Sequence, residues 1–396
     1  MPQRRLIVLL GSIVAIGPLS IDTYLPAFPT MSRALDASAS SVQLTLTACL
    51  AGIGIGQLVA GSLSDRLGRR RPILVGLFAY VIASLLCAIA PDVLTLTALR
   101  FVQGFSAAAG LVIAQAVVRD LHSGAAAVRL FSSLMLIIGV APILAPVLGG
   151  QLLELSSWRG IFVALAVIGA LVGIAVLTSL PETLPPERRD RRGLRQTFRT
   201  LGGLLRQRDF MGYAIASSLS FATVFAYVSG SSFVLQDIYG LSPTVYSIVF
   251  GFNGIGLIVA SQVNARLVGR VESVVLLRRA LLTSALASLA LLAVISIDGL
   301  GAWSVMVPLF VLVSSFAFVL PNATALALAD HPEVAGVASA LLGVIQFASG
   351  AAVAPLVGIA GTDTAVPMGV VMSVLGIAGI AAMRILVPAR VPGGAS

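Results

Sequence analysis

Twelve stretches of this 396-residue chain stay apolar for about 20 residues or more. That is the length an α-helix needs to cross the hydrocarbon core of a bilayer. Such segments find no water for their peptide groups there, so they must close their hydrogen bonds internally, as helices. The pattern predicts spans over 6–30, 42–64, 72–91, 93–118, 128–153, 158–180, 209–234, 242–267, 276–297, 302–328, 335–359 and 364–387. The expected fold class is an all-α membrane protein with twelve transmembrane helices. Composition agrees, with 58% hydrophobic and 10% charged residues, too few charges to cover a soluble domain of this size. The 39 glycines suit helices that pack through small residues.

Orientation follows from the arginines. Every basic residue is Arg, which together with the Ala and Val content suggests a high-GC genome. The formal charge of +9 would suit a nucleic-acid partner, but 22 of the 25 arginines fall in the loops and ends on one side of the predicted spans. The other side holds Arg33 and Arg159 against Asp36, Asp92, Glu154, Asp237, Asp298 and Asp363. The positive-inside rule then places both termini in the cytoplasm of a multi-pass membrane protein. The partner expected is the lipid bilayer and not nucleic acid. Cys49 and Cys87 lie in apolar spans, so neither a disulfide framework nor a metal site is expected. The apolar stretch after Arg5 runs to about Phe28 without a cleavage pattern and reads as a retained first helix.

The chain divides into 1–184, a linker 185–208, and 209–396. The connection that contains this linker opens Pro181-Glu182-Thr183-Leu184-Pro185-Pro186 and becomes arginine-rich. Leu194, Phe198, Leu201 and Leu205 recur there at helical spacing, which predicts a basic amphipathic helix lying on an anionic leaflet. The two long parts echo each other. Gly54-Ile55-Gly56, Val59-Ala60 and Arg66-Leu67 return 200 residues later as Gly254-Ile255-Gly256, Val259-Ala260 and Arg266-Leu267. Ala145-Pro146-Val147-Leu148-Gly149 is echoed by Ala354-Pro355-Leu356-Val357-Gly358. A parallel repeat of this kind predicts two six-helix bundles with a site between them.

Two charges stand inside spans. Asp22 lies in Ile21-Asp22-Thr23-Tyr24-Leu25-Pro26, and Arg100 in Leu99-Arg100-Phe101-Val102-Gln103-Gly104. An intramembrane carboxylate costs about 2.5–3.5 kcal/mol on insertion scales, so it should face the interior or an aqueous cavity. Counted at 1.5 Å per residue, Asp22 and Arg100 sit ~12 Å and ~10 Å below the outer ends of their helices, so pairing between them is geometrically open. Burial and a nearby guanidinium act in opposite senses on a carboxyl, which would tie its proton occupancy to conformation. A static ion pair between two helices is the alternative. Gln103, one turn beyond Arg100, shares its face.

Between the second and third spans runs Gly61-Ser62-Leu63-Ser64-Asp65-Arg66-Leu67-Gly68-Arg69-Arg70-Arg71. Its glycines permit a tight turn, and its acid and arginines can form a charge cluster. The fifth span carries Gly139-Val140-Ala141-Pro142-Ile143-Leu144-Ala145-Pro146-Val147-Leu148-Gly149-Gly150, where prolines kink a helix and small residues allow close approach.

These motifs resemble the major facilitator superfamily. The 61–71 segment is similar to its cytoplasmic loop signature, which in the family latches the two halves. The resemblance therefore implies gating roles for Gly61, Asp65, Arg66, Gly68 and Arg69, and for Arg119, just past the fourth span on the same side. In the second half Ala265 stands where the acid would be. The Arg100 segment is similar to a helix-4 motif whose arginine is implicated in proton transfer. The 139–150 segment is similar to the antiporter motif of drug exporters, with Ala145 for its first glycine, and implies gating by Pro142, Pro146, Gly149 and Gly150. Trp158-Arg159-Gly160-Ile161-Phe162 and Pro181-Glu182-Thr183 are also common in such exporters. Asp22 to Pro26 with Leu99 to Gly104 resembles the bicyclomycin and chloramphenicol resistance (Bcr/CflA) branch of drug:proton antiporters.

That resemblance implies a monomeric transporter exporting small amphiphilic drugs, phenicols among them, with protons as coupling ion and no other cofactor. Asp22 and Arg100 would serve the proton. Some relatives carry a second acid before the helix-1 aspartate, where this chain has Val14-Ala15-Ile16-Gly17-Pro18, which favours neutral cargo. Candidates for contact with cargo are Asp22, Tyr24, Gln103, Leu134, Ile138, Phe221, Phe225, Tyr227, Asn253, Asn322 and Gln346. A proton-coupled importer and a non-transporting membrane sensor remain open. His122 and His331 fall in predicted loops and no P-loop or zinc spacing occurs, so an enzyme is not expected.

Overall fold

The structure, a computed structural model, describes residues 3–122, 124–189, 200–297, 300–358 and 364–387. It is helical throughout, and no strand occurs among the described residues. We number the long helices α1 Gln3–Asp22, α2 Ala39–Leu67, α3 Arg70–Ala88, α4 Val93–Leu121, α5 Gly124–Leu155 and α6 Trp158–Ser179. The second half contributes α7 Arg208–Phe233, α8 Pro243–Leu267, α9 Ser273–Ile295, α10 Ala302–Ala329, α11 Ala335–Val353 and α12 Val366–Leu386. Among the described residues, eleven helices are long and apolar enough to cross a membrane. The span predicted over 128–153 falls on α5.

Local sequence explains where helices begin and break. Ser38, Asp92 and Ser242 cap α2, α4 and α8 by accepting from backbone N–H groups three residues on, which satisfies donors the helix leaves unpaired. The first span, expected as one helix over 6–30, breaks after Asp22. A 3₁₀ turn, Leu25–Ala27, and a short helix, Phe28–Ala34, complete it. Pro26 and Pro29 have no N–H to give the carbonyls of Asp22 and Leu25, so α-helical bonding cannot continue through this stretch.

Consecutive helices alternate in direction, which collects Arg4, Arg5, Arg66, Arg69, Arg70, Arg71, Arg266 and Arg384 at one end of the bundle, here the arginine end. Large apolar side chains such as Val75, Phe78, Leu94 and Trp303 point outward, as they do where the solvent is lipid. The main apolar core runs through α1 to α6 and crosses into α7, α8 and α11 away from the arginine end, taking in Tyr227, Tyr246, Phe250 and Ala351. A separate core around Phe210, Leu277, Val319, Leu342 and Met383 belongs to the arginine end of the second half. Among the described residues, the core that the two halves share lies away from the arginine end.

Leu194 and Phe198 of the predicted amphipathic helix lie outside the described residues. In its described part Leu201 and the buried Leu204 pack on the second core, whereas Leu205, expected on that face, is exposed. The apolar stripe is rotated by one residue because the second core recruits Leu204.

Candidate functional site

Arg100 is fully buried in α4, where carbonyl, amide and aromatic groups surround its guanidinium, although its Nε has no hydrogen-bond partner among the described residues. Its guanidinium donates to the Ser20 carbonyl at 2.8 Å and to the Gln103 side-chain oxygen. It lies 4.1 Å over the Tyr24 ring and 5.6 Å from that of Phe162, a cation–π arrangement strengthened by desolvation. Gln103 in turn donates to the Ser84 hydroxyl at 2.7 Å, and Ser20 and Tyr80 share a hydroxyl contact of 2.7 Å. Tyr24 also meets Thr45 at 3.3 Å. Tyr24 and Gln103, both expected at the cargo, are enclosed in this network because a buried guanidinium needs several acceptors at once.

Asp22 sits at the break of α1, 5% exposed. No ion pair joins it to Arg100, and its carboxylate has no hydrogen-bond partner among the described residues. The pairing that equal depth left open does not form; Arg100 takes the Ser20 carbonyl instead. The break beside Asp22 meets α5 at Gly149, and the next residue, Gly150, packs on Ser247 of the second half, adjacent to Tyr246. Tyr227 accepts a 2.8 Å hydrogen bond from Asn253 and stacks on Phe250 at 5.3 Å. Tyr246 contacts Ser231 at 3.2 Å.

α5 is wedged between this break and α8. A Cβ at Gly149 would overlap the Thr23 carbonyl, beside Asp22, and one at Gly150 would come 2.6 Å from the Ser247 hydroxyl. Ile143 packs where Gly254 has no side chain. Pro142 and Pro146 lie within α5 and remove two of its backbone donors along this contact. The halves are further joined by Gln43 to the Ser229 carbonyl at 3.1 Å, Thr47 to that of Ala351 at 2.8 Å and Ser232 to that of Leu25 at 2.6 Å. All lie away from the arginine end. Gln43, Thr47 and Ser232 carried no sequence signal, because their partners are backbone carbonyls 186 to 304 residues distant.

Toward the arginine end the junction becomes aromatic. Phe221 and Phe225 stack at 4.5 Å, with Phe347 at 5.4 Å and Phe316 at 6.1 Å from Phe221. These rings are part-exposed. Phe347 reaches α2 at Gly54, and Gln57 lies against Gly343. Phe316, Phe347 and Gln57 were missed in the sequence, since an aromatic or Gln in an apolar helix does not announce which way it faces. Gln346 is buried nearby on α11, and Leu134 is buried in α5. The side chain of Ile138 lies outside the described residues. Asn322 donates to Asn264 at 2.7 Å and to the Phe318 carbonyl, so it ties α10 to α8 within the second half.

At the arginine end, Arg69 gathers Asp65 at 2.5 Å, Asp120 at 2.8 Å and Ser64 at 2.9 Å. Gly68 makes the turn at φ +91°, a conformation open chiefly to glycine. Glu182, just past α6, accepts from the Arg69 N–H at 2.7 Å and the Arg70 N–H at 3.2 Å, capping α3 from another part of the chain. Burial acts to push the Glu182 carboxyl up. The N–H groups of Leu184, Arg69, Arg70 and Thr183 outweigh it and hold the carboxyl below the usual range. Gly61 passes Val112 on α4. Arg66 and Arg119 are exposed and outside the cluster. Asp120, next to Arg119, is the α4 residue that joins it.

A family model described as Major Facilitator Superfamily matches residues 10–355. The chain is 45% identical over 385 residues to an uncharacterized MFS-type transporter, YdgK, of Bacillus subtilis, covering 97% of this chain and 95% of that one. It is 35% identical to a bicyclomycin resistance protein homolog of Haemophilus influenzae, covering 91% of each. Its fold superposes on a bacterial homolog of the human lysosomal transporter Spinster, solved in an inward-facing conformation, with TM-score 0.75, 13% identity and coverage of 97% and 95%. The chain belongs to the Major Facilitator Superfamily and is a multi-pass membrane transporter, not an enzyme.

Proposed function

We propose that this transporter exports small, neutral, amphiphilic drugs, phenicols among them, in exchange for protons, by alternating access of two six-helix bodies. In this reading all twelve long helices span the membrane and the arginine end is cytoplasmic. The joined end is then an outer gate, and the chain rests with its path facing the cytoplasm. The observation that carries the proposal is Asp22. It is a carboxyl buried at a helix break, without an ion-pair partner, where α1, α5 and the second half converge. An acid so placed is expensive to carry charged, so its proton occupancy is coupled to which groups surround it. Separation of the halves would exchange Tyr227 and Tyr246 for water, and that exchange is what coupling requires. The aromatic group around Phe221 supplies an apolar wall with Gln57 and Gln346 beside it, the surface an amphiphile needs. Relatives named a bicyclomycin resistance protein homolog and Multidrug resistance protein D support the drug class.

Reconstituted proteoliposomes test this directly. An imposed chloramphenicol gradient should drive protons in the opposite direction, read by an internal pH dye. Co-directional movement would make the protein an importer, and no drug-dependent flux across a drug panel would remove the export reading.

A further inference from the structure

Arg278 and Arg279 of α9 and Arg384 of α12 have no role in the transport reading. They stand around a cavity of about 420 Å³ at the arginine end, floored by Leu281, Met383 and Val387. The cavity follows from the packing of its two helices. Gly369 and Gly376 bring α12 against Leu292 and Ala285 of α9, so the helices touch closely far from the arginines. Beyond Gly379 the α12 residues are Ile380, Met383 and Arg384, whose bulk holds the helices apart.

All three arginines are exposed and none is paired with an acid among the described residues. The corresponding groove in the first half, between α3 and α6, is closed by the protein itself. There Arg70 donates to the Leu177 carbonyl at 2.6 Å, and Glu182 caps the start of α3. Among the described residues, which end at Val387 just past α12, no hydrogen bond closes the groove between α9 and α12 in this way. Beside the groove, Leu282, Leu286 and Ile385 are exposed apolar residues, so it opens on the face that meets lipid.

We propose that this groove binds one anionic phospholipid, the phosphodiester held by Arg278, Arg279 and Arg384 and an acyl chain lying along Leu282 and Met383. Guanidinium groups match phosphate oxygens in charge and geometry. Arg278 lies ~8 Å inside the start of α9 and Arg384 ~3 Å inside the end of α12, the depth of a headgroup. An apolar floor opening on lipid selects a lipid over a free anion.

The test uses the full chain purified in detergent, with phosphatidylglycerol as probe and phosphatidylcholine and inorganic phosphate as comparisons. Bound lipid is counted by native mass spectrometry, and thermal unfolding is followed in parallel. Phosphatidylglycerol should bind and raise Tm more than phosphatidylcholine does. The triple variant R278Q/R279Q/R384Q should bind it about a hundredfold more weakly, from three basic contacts near a headgroup. Leu282→Trp, which fills the groove and keeps every arginine, should also lose it, so a misfolded triple variant leaves the proposal testable. Equal phosphatidylglycerol binding by wild type and Leu282→Trp would overturn it. So would equal stabilisation by phosphatidylcholine, or full stabilisation by inorganic phosphate alone.

Discussion

The guanidinium of Arg100 donates to the main-chain carbonyl of Ser20 at 2.8 Å, two residues before Asp22, and not to the Asp22 carboxylate. In the proposed mechanism Arg100 would act on Asp22 through the backbone, by holding the end of α1 where it breaks. Arg100→Ala would strand the Ser20 carbonyl and the Gln103–Ser84 pair without their charged donor. We expect a stability loss of about 2 kcal/mol or more together with lost drug-driven proton flux. Arg100→Lys keeps one donor of the fork and should retain part of both. Unfolding in detergent and proteoliposome flux measure the two effects, and an Ala variant with wild-type flux would sink the positioning role.

Asp22→Asn should separate coupling from folding. The amide fills the same space, and no ion pair is lost, so Tm should stay close to wild type. Drug-driven proton flux should fall at least about tenfold, equivalent to about 1.4 kcal/mol on the barrier. Full drug resistance in cells expressing this variant would show that Asp22 does not carry the proton.

Two glycines of α5 should respond oppositely to substitution. Gly149→Val places its Cβ into the Thr23 carbonyl and should destabilise by about 1–3 kcal/mol while slowing transport. Gly139→Ala meets nothing within 4 Å and should be neutral or stabilising by up to about 1 kcal/mol, since Ala is the better helix former. Similar unfolding temperatures for both variants would contradict the wedge.

Glu182 predicts a pH dependence. Its folded-state carboxyl is held below the usual range, so the stability it contributes is present above the unfolded value of about 4.3 and is lost as pH falls through the folded value. At pH 7, Glu182→Ala should cost about 1 kcal/mol, as loss of a helix cap does. The Tm difference between wild type and variant should close on acidification. A difference that stays constant from pH 7 to pH 3 would show that the cap works without its charge.

Much of this protein was legible in one dimension. Helices built from long apolar stretches follow from the absence of water in lipid, so the all-helical fold could be read without coordinates. The two misplaced charges, Asp22 and Arg100, drew attention for the same reason, as did the prolines and glycines of 139–150. The relation between Asp22 and Arg100 could not be read that way. Equal depth along two helices leaves their rotation undetermined, and the break after Asp22 depends on Pro26 and Pro29 acting with Arg100 on α4. Nor could the sequence reveal Gln43, Thr47, Phe347 or the open groove between α9 and α12. Side-chain periodicity reports that a face is apolar, whereas which helix covers it is decided when all twelve pack together. The chain by itself determined what its helices are made of and which residues are out of place in lipid. Only the tertiary structure decided their partners, because a buried polar group takes whichever acceptor packing brings within reach.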